Sequence, residues 1–309
     1  MEYDVNQQQP EGGFFHRNKL VSFAIIIACL LFIIIFFLEK TKVLVKMIPK
    51  MRGEVSLGSS FSITTTKDGY PIVIKQNDPT VGSKVRFSGD IHSTFSETAV
   101  SMARADDIVV EIGAHFGYNT ITIAKKLVSG KYYAFEPNAT ILSYLRKSLI
   151  LNDLFEKVTL ENFAISDRVE LISIADCLSK TENSEGNYTK DRKIIVNSIT
   201  LDKKLEGSQE SISLLLIDIP EFVFPILNGA EKIIASSPSL RIVLYFDNYR
   251  ASRHSNVENE LKKLKNNGFI FYIVKEPNSY VESNIPDILS KNEIVLVMTK
   301  DKSYFMNPR

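Results

Sequence analysis

The chain has 309 residues, 44% of them hydrophobic and 24% charged, with a formal net charge of +1 at pH 7. Its length allows a sizeable core, and its near-zero charge gives no reason to expect nucleic acid as a partner. Two cysteines, Cys29 in an apolar run and Cys177 far away, cannot form a disulfide framework and suit a reducing compartment.

Residues 1–19 are polar, with Gln7-Gln8-Gln9-Pro10 and Gly12-Gly13, and read as a disordered tail. Residues 20–38 run LVSFAIIIACLLFIIIFFL, with Ser22 the one clearly polar residue. A helix of that length spans roughly 28 Å, close to the hydrocarbon core of a bilayer. A cleaved signal peptide would be shorter and followed by a small-x-small site, but Glu39-Lys40-Thr41-Lys42 follows here. An uncleaved transmembrane helix is therefore expected, with the lipid bilayer as a partner. Arg17 and Lys19 precede it, whereas Lys40, Lys42, Lys46, Lys50 and Arg52 follow. The larger positive cluster predicts a single-pass protein with its C-terminal domain on the cytoplasmic side. Residues 39–60 form a basic juxtamembrane linker, lying either on an anionic lipid surface or in solvent.

Residues 61–309 read as one α/β domain. The run Tyr70-Pro71-Ile72-Val73-Ile74 suggests a small strand pair within 53–77, and 95–105 reads as a helix leading into the first main strand. Ile108-Val109-Val110 is an apolar, β-branched run typical of a buried parallel strand, closed by Glu111. Gly113 and Gly117 bracket a tight turn in which a missing Cβ lets backbone approach a ligand. Ile121, Ala124 and Val128 then recur at helical spacing, and Gly130 is placed to end that helix. Residues 131–135 form the next strand, with Glu136-Pro137-Asn138 at its carboxyl end. A carboxylate there, near the roughly 20-residue offset from the first strand given for nucleotide-binding units, accepts hydrogen bonds from ribose hydroxyls. The G-x-x-x-G spacing differs from the dinucleotide pattern G-x-G-x-x-G, so a nicotinamide-dependent oxidoreductase is disfavoured.

Further along, Ile141, Leu145 and Leu149 mark a helix over 138–152, with Asn138 suited to cap it. Strands are expected at 158–163, 194–199, 212–218, 240–246, 269–274 and 294–298. A polar loop covers 177–193. Helices are expected over 222–236, with Pro225 in the first turn, and around Val257, Leu261 and Leu264. Asn138 and Asn187 each begin an N-x-S/T sequon.

The segment E-I-G-A-H-F-G-Y at 111–118 followed by A-F-E-P-N at 134–138 resembles the S-adenosylmethionine site of class I methyltransferases of the FkbM type. Ala164-Ile165-Ser166-Asp167, Ser198-Ile199-Thr200-Leu201-Asp202, Leu216-Ile217-Asp218 and Ile226-Leu227-Asn228-Gly229-Ala230 resemble further family segments in the same order. The resemblance covers residues 87–298. It implies a Rossmann-like, seven-stranded sheet with helices on both faces and an antiparallel final strand. It also implies S-adenosylmethionine as cofactor, held by Glu111, Gly113, Ala114, His115, Gly117, Tyr118, Glu136, Pro137 and Asp167, with no metal. Asp218 and Glu221 are the candidate catalytic carboxylates.

The family reads K-I-D-x-E-G-x-E where this chain has Leu216-Ile217-Asp218-Ile219-Pro220-Glu221-Phe222-Val223, so only the aspartate is kept. His115 replaces a favoured asparagine. Two functions follow from the resemblance. One is a membrane-anchored methyltransferase acting on the hydroxyl of a glycan, lipid-linked or small-molecule acceptor. The other is a non-catalytic domain of the same fold serving as a membrane-tethered binding or scaffold protein.

Overall fold

The computed structural model describes residues 55–57, 61–76, 78, 81–91, 93–176, 178, 192–208 and 210–306. The expected tail at 1–19, the apolar run at 20–38, most of the linker at 39–60 and most of the loop at 177–193 lie outside the described residues. Among the described residues no helix is long and apolar enough to cross a membrane.

Strands β1 (Val55–Leu57), β2 (Phe61–Thr65) and β3 (Pro71–Lys75) form an antiparallel meander. This is one strand more than the predicted pair, because a three-residue strand is too short to show alternation. Helices α1 (Val81–Ser88) and α2 (Ser93–Met102) follow. The predicted nucleoside-binding unit then appears as β4 (Ile108–Ile112), α3 (Tyr118–Lys126), β5 (Lys131–Phe135), α4 (Ala139–Leu151) and β6 (Val158–Glu161). Asn138 caps α4, its Oδ1 accepting from the N–H groups of Thr140 (3.0 Å) and Ile141 (3.2 Å). That structural duty, with the side chain buried, accounts for the Asn138 sequon. Gly130 does not end α3, which stops at Lys126. Instead the chain at Gly130 passes against Asp107, where a Cβ would stand 2.2 Å from the Asp107 carbonyl oxygen.

Strands β7 (Ala164–Ile165), β8 (Leu171–Ala175) and β9 (Lys193–Ile199) make a small separate sheet in the order β7-β9-β8. Next come α5 (Leu201–Lys204) and β10 (Leu214–Ile217). The single helix expected over 222–236 is instead a 3-10 turn at Pro220–Phe222, then α6 (Val223–Asn228) and α7 (Glu231–Ser236). The break has a tertiary cause. A Cβ on Gly229 would lie 2.0 Å from the Ser166 carbonyl oxygen, so the turn presses on the end of β7. Asp202 secures it, its carboxylate accepting from the N–H groups of Lys232 (3.0 Å) and Ile233 (2.9 Å) at the start of α7. The A-I-S-D, T-L-D and L-N-G-A segments therefore form one packed junction.

The chain ends with β11 (Arg241–Asp247), α8 (Asn248–Ala251), α9 (Val257–Asn266), β12 (Ile270–Glu276), β13 (Ser279–Ser283), α10 (Ile285–Leu289), β14 (Glu293–Thr299) and α11 (Ser303–Met306). The main sheet has eight strands, not seven, in the order β13-β12-β14-β11-β10-β4-β5-β6. The extra edge strand β13 is mostly polar and only partly covered, so it carries no core pattern. Strands β11, β10, β4, β5 and β6 run parallel, and β14 inserts antiparallel between β11 and β12, as expected.

Both sheet faces are covered, which explains the unbroken apolar strand Leu214-Leu215-Leu216-Ile217. Leu214, Leu216 and Val243 face a core shared with α2, α3, α4 and β3. Leu215, Ile217, Ile242 and Leu244 face the other core, built with α6, α7 and α9. Beneath the first core, Arg241 and Asp107 form a buried ion pair at 2.5 Å.

Candidate active site

The carboxyl ends of β4, β5 and β10 bring the glycine turn, Glu136 and Asp218 together. Gly113 and Ala114 donate backbone N–H bonds to the Phe135 carbonyl (3.0 and 3.1 Å), which sets the turn beside the end of β5. Three residues of the turn hold positive φ: Gly113 at 89°, His115 at 50° and Gly117 at 93°. Positive φ is what favours glycine at 113 and 117, and neighbouring side chains also lie close to both. A Cβ on Gly113 would stand 2.8 Å from Ile219 Cγ1, and one on Gly117 would stand 2.3 Å from Leu145 Cδ1.

Glu136 is the centre of the arrangement. It is buried, with Oε2 accepting from the His115 N–H (3.1 Å) and Oε1 from the Asn138 N–H (2.8 Å). Burial raises its pKa to about 7, partly offset by those two bonds and aided by the charge of Glu111. Each carboxylate oxygen keeps acceptor capacity beyond its one bond. Pro137 holds the strand end, its carbonyl accepting from Asn162 Nδ2 (2.9 Å).

Glu111 points into α3. Its Oε2 accepts from the Thr120 hydroxyl and from the Tyr132 phenol (2.8 Å), and burial raises its pKa to about 7. The structure therefore uses Glu111 to tie β4 to α3 and β5. Tyr118 is the first residue of α3 and is buried. No side chain caps α3 at Gly117, so its first-turn N–H groups face the turn uncapped by a side chain.

Both ring nitrogens of His115 are buried and have no hydrogen-bond partner among the described residues. Burial lowers its pKa to about 4, against the pull of Asp78, so the ring is neutral. A buried polar group without a partner costs free energy unless something meets it. This unpartnered imidazole, on the residue whose N–H binds Glu136, is the local sign of an absent ligand.

Asp218 follows β10, its N–H donating to the Ile112 carbonyl (3.3 Å). Its pKa is raised to about 7, first by burial and then by Glu111, while Lys84 and Arg250 pull it down. Glu221 is displaced one position along, as the sequence indicates. It pairs with Arg250 Nε at 3.2 Å. Asp167 faces solvent at the end of β7, beside Ser166 (3.2 Å) and Arg168 (3.6 Å).

Sequence reasoning missed Lys84 on α1, Arg250 on α8 and Tyr245 on β11. A signal existed for one of them: Asp247-Asn248-Tyr249-Arg250 is a polar cluster at the carboxyl end of an apolar strand, where α/β sites form. Among the described residues no group of three His, Cys, Asp or Glu side chains is placed to hold a metal ion.

The methyltransferase FkbM domain profile matches residues 111–271. No curated protein matches the chain. Among solved structures, the chain is similar to the methyltransferase FkbM from Methylobacillus flagellatus KT, at 12% identity over 63% of this chain and 44% of that one, with a TM-score of 0.40. It is also similar to an O-methyltransferase from Bacillus cereus in complex with SAH, at 14% identity over 69% and 84% of the two chains, TM-score 0.42. A SAM-dependent O-methyltransferase from Thermotoga maritima aligns at 12% identity over 82% and 87%, TM-score 0.40.

Proposed function

The chain belongs to the FkbM methyltransferase family, and from that membership we propose that it is an S-adenosylmethionine-dependent methyltransferase acting on a hydroxyl acceptor. The observation that carries this reading is the buried Glu136 carboxylate, which accepts from the His115 and Asn138 N–H groups and keeps acceptor capacity, together with the unpartnered His115 ring in the same turn. Their chemistry fits the cofactor. Glu136 would accept from the two ribose hydroxyls, the neutral His115 ring has a free donor and acceptor in the same turn, and the uncapped start of α3 favours the amino-acid carboxylate. When bound, S-adenosylmethionine supplies an electrophilic methyl group. The chain's own part is positioning, plus removal of the acceptor proton by the Asp218 carboxylate. Arg250 and Lys84 hold that carboxylate in its charged form more than burial alone would. The binding-only alternative is supported by Pro220 and by the engagement of Glu221 with Arg250, which commit part of the altered motif to structure.

Calorimetric titration of S-adenosylhomocysteine into the full-length chain tests the proposal. Micromolar binding is expected, and Glu136→Ala is expected to weaken it by about 100-fold, as befits two hydrogen bonds to a charged group. The same variant also frees the N–H groups of His115 and Asn138, so some loss of stability accompanies it. Glu136→Gln keeps one acceptor and serves as the folded control. Unchanged affinity in both variants would remove Glu136 from the site.

The apolar run at 20–38 and the basic residues after it support anchoring with the domain on the cytoplasmic side. Protease added outside intact cells is expected to spare the C-terminal domain. Its digestion would reverse the topology.

A further inference from the structure

A cavity opens at Tyr245, one strand over from Asp218. It has a volume of about 450 Å³, within the range of small-molecule sites, and is lined by Thr94, Tyr245, Lys275, Lys291, Glu293 and Val295 among others. Strand register places it. Ile217 pairs with Leu244, so Asp218 is level with Tyr245 on the neighbouring strand. Leu216, Tyr245 and Val295 pack on one face of the sheet. The Tyr245 phenol is pushed up by burial, by its 2.6 Å bond to Glu293 and by the Asp218 charge, so it lies within electrostatic reach of that carboxylate.

The lining is half apolar, and its charged groups are two lysines and one glutamate. Among the described residues neither Lys275 nor Lys291 has an ion-pair or hydrogen-bond partner for its ammonium. Glu293, the one carboxylate in the lining, is already engaged by Tyr245. Thr94 lies in the first turn of α2, a ten-residue helix with no acidic residue in that turn. The dipole of that helix adds partial positive charge at the same wall. Two unpaired ammonium groups and a helix start border a space large enough for a small molecule, with Tyr245 between it and the carboxylate proposed to take the acceptor proton.

We infer that this cavity is the acceptor subsite and that it takes a hydroxyl compound bearing a phosphate. The inference rests on the methyltransferase reading for the word acceptor, but the phosphate site stands on the cavity itself. A free metabolite and a lipid headgroup would present the same group to Lys275 and Lys291.

Methyl NMR of the full-length chain in neutral detergent tests it, with Ile273, Val274, Ile294 and Val295 as reporters in the cavity wall. Glycerol 3-phosphate is expected to shift these methyls, uncharged glycerol is not, and Lys275→Ala/Lys291→Ala is expected to weaken the phosphate ligand at least tenfold. Both lysines are exposed, so the double variant is expected to fold and to bind S-adenosylhomocysteine as the parent does. In a second arm, bicelles carrying phosphatidic acid are compared with phosphatidylcholine alone. Shifts of the same methyls by phosphatidic acid identify a headgroup as the source, and shifts by the soluble compound only identify a free metabolite. Equal affinity for glycerol, unchanged affinity in the double variant, or shifts confined to other methyls would overturn the inference. Loss of S-adenosylhomocysteine binding with phosphate binding intact would instead remove the cofactor reading and leave this site standing.

Discussion

Replacing Asp218 with asparagine is expected to slow methyl transfer by about 10²–10⁴-fold, the usual contribution of a general base, while affinity for S-adenosylhomocysteine stays close to that of the parent. The side chain sits at the end of β10, beside the glycine turn, and its N–H is tied to the Ile112 carbonyl. Asparagine keeps the shape and that backbone bond but cannot take a proton. The pH dependence follows from the raised pKa of about 7, set by burial first and the Glu111 charge second. Only the carboxylate form acts as base, so the rate of the parent is expected to climb as pH rises through about 7 and then level off. The asparagine variant is expected to lack that climb. The assay follows labelled methyl from S-adenosylmethionine into a polar extract at several pH values. An unchanged rate and profile would take Asp218 out of the reaction. No transfer by a parent that binds the cofactor tightly would favour the binding-only alternative.

The largest loss of stability is expected from Asp107→Ala, at roughly 3–5 kcal/mol. Asp107 and Arg241 are both almost fully buried, and their side chains meet at 2.5 Å. Arg241 also donates to the Met102 carbonyl (2.6 Å) and the Ser213 carbonyl (3.1 Å), and Asp107 accepts from the Arg104 N–H (2.7 Å). The pair therefore joins the end of α2 to the starts of β4, β10 and β11. Alanine at 107 leaves a guanidinium buried without its counter-charge, and that desolvation cost, more than any lost attraction, dominates. The double variant Asp107→Leu/Arg241→Met removes both charges and is expected to recover much of the loss. Urea unfolding of the three proteins measures it. A single variant within about 1 kcal/mol of the parent, the range of exposed ion pairs, would mean that water reaches the pair.

Neither Asp107 nor Arg241 stood out in the sequence. Asp107 sits in Arg104-Ala105-Asp106-Asp107, which looks like a solvated turn before a strand. Arg241 opens an apolar strand, where a basic residue normally marks an exposed end. Their partnership spans distant parts of the chain and leaves no periodic trace. Gly229 is the converse case. Its place in a family-like L-N-G-A turn was visible, but an unbroken helix over 222–236 was the natural reading of the apolar spacing. The Ser166 carbonyl and the Asp202 carboxylate, both remote in sequence, break that helix. Glu111 and Glu136 show the same contrast within one motif. Both were legible as strand-end carboxylates, yet Glu111 Oε2 accepts from the Thr120 and Tyr132 side chains, while Glu136 accepts from two backbone N–H groups and keeps capacity for more.

The antiparallel β14 was implied by the family resemblance, whereas the sequence by itself determined the β4–α3–β5–α4 unit, the buried strand β10 and the placing of Glu136 and Asp218 at strand ends. These follow from short-range physics: apolar runs, helical spacing, glycine at positive φ and an asparagine cap. Only the tertiary structure decided what those carboxylates face. Lys84, Arg250 and Tyr245 lie within electrostatic reach of Asp218 because α1, α8 and β11 are packed nearby, and Lys275 and Lys291 share one cavity because β12 and β14 are neighbours in the sheet. A lone charged residue on a turn or strand end carries no local signal of its partner, since the field it experiences is set by burial and by groups brought from elsewhere in the chain.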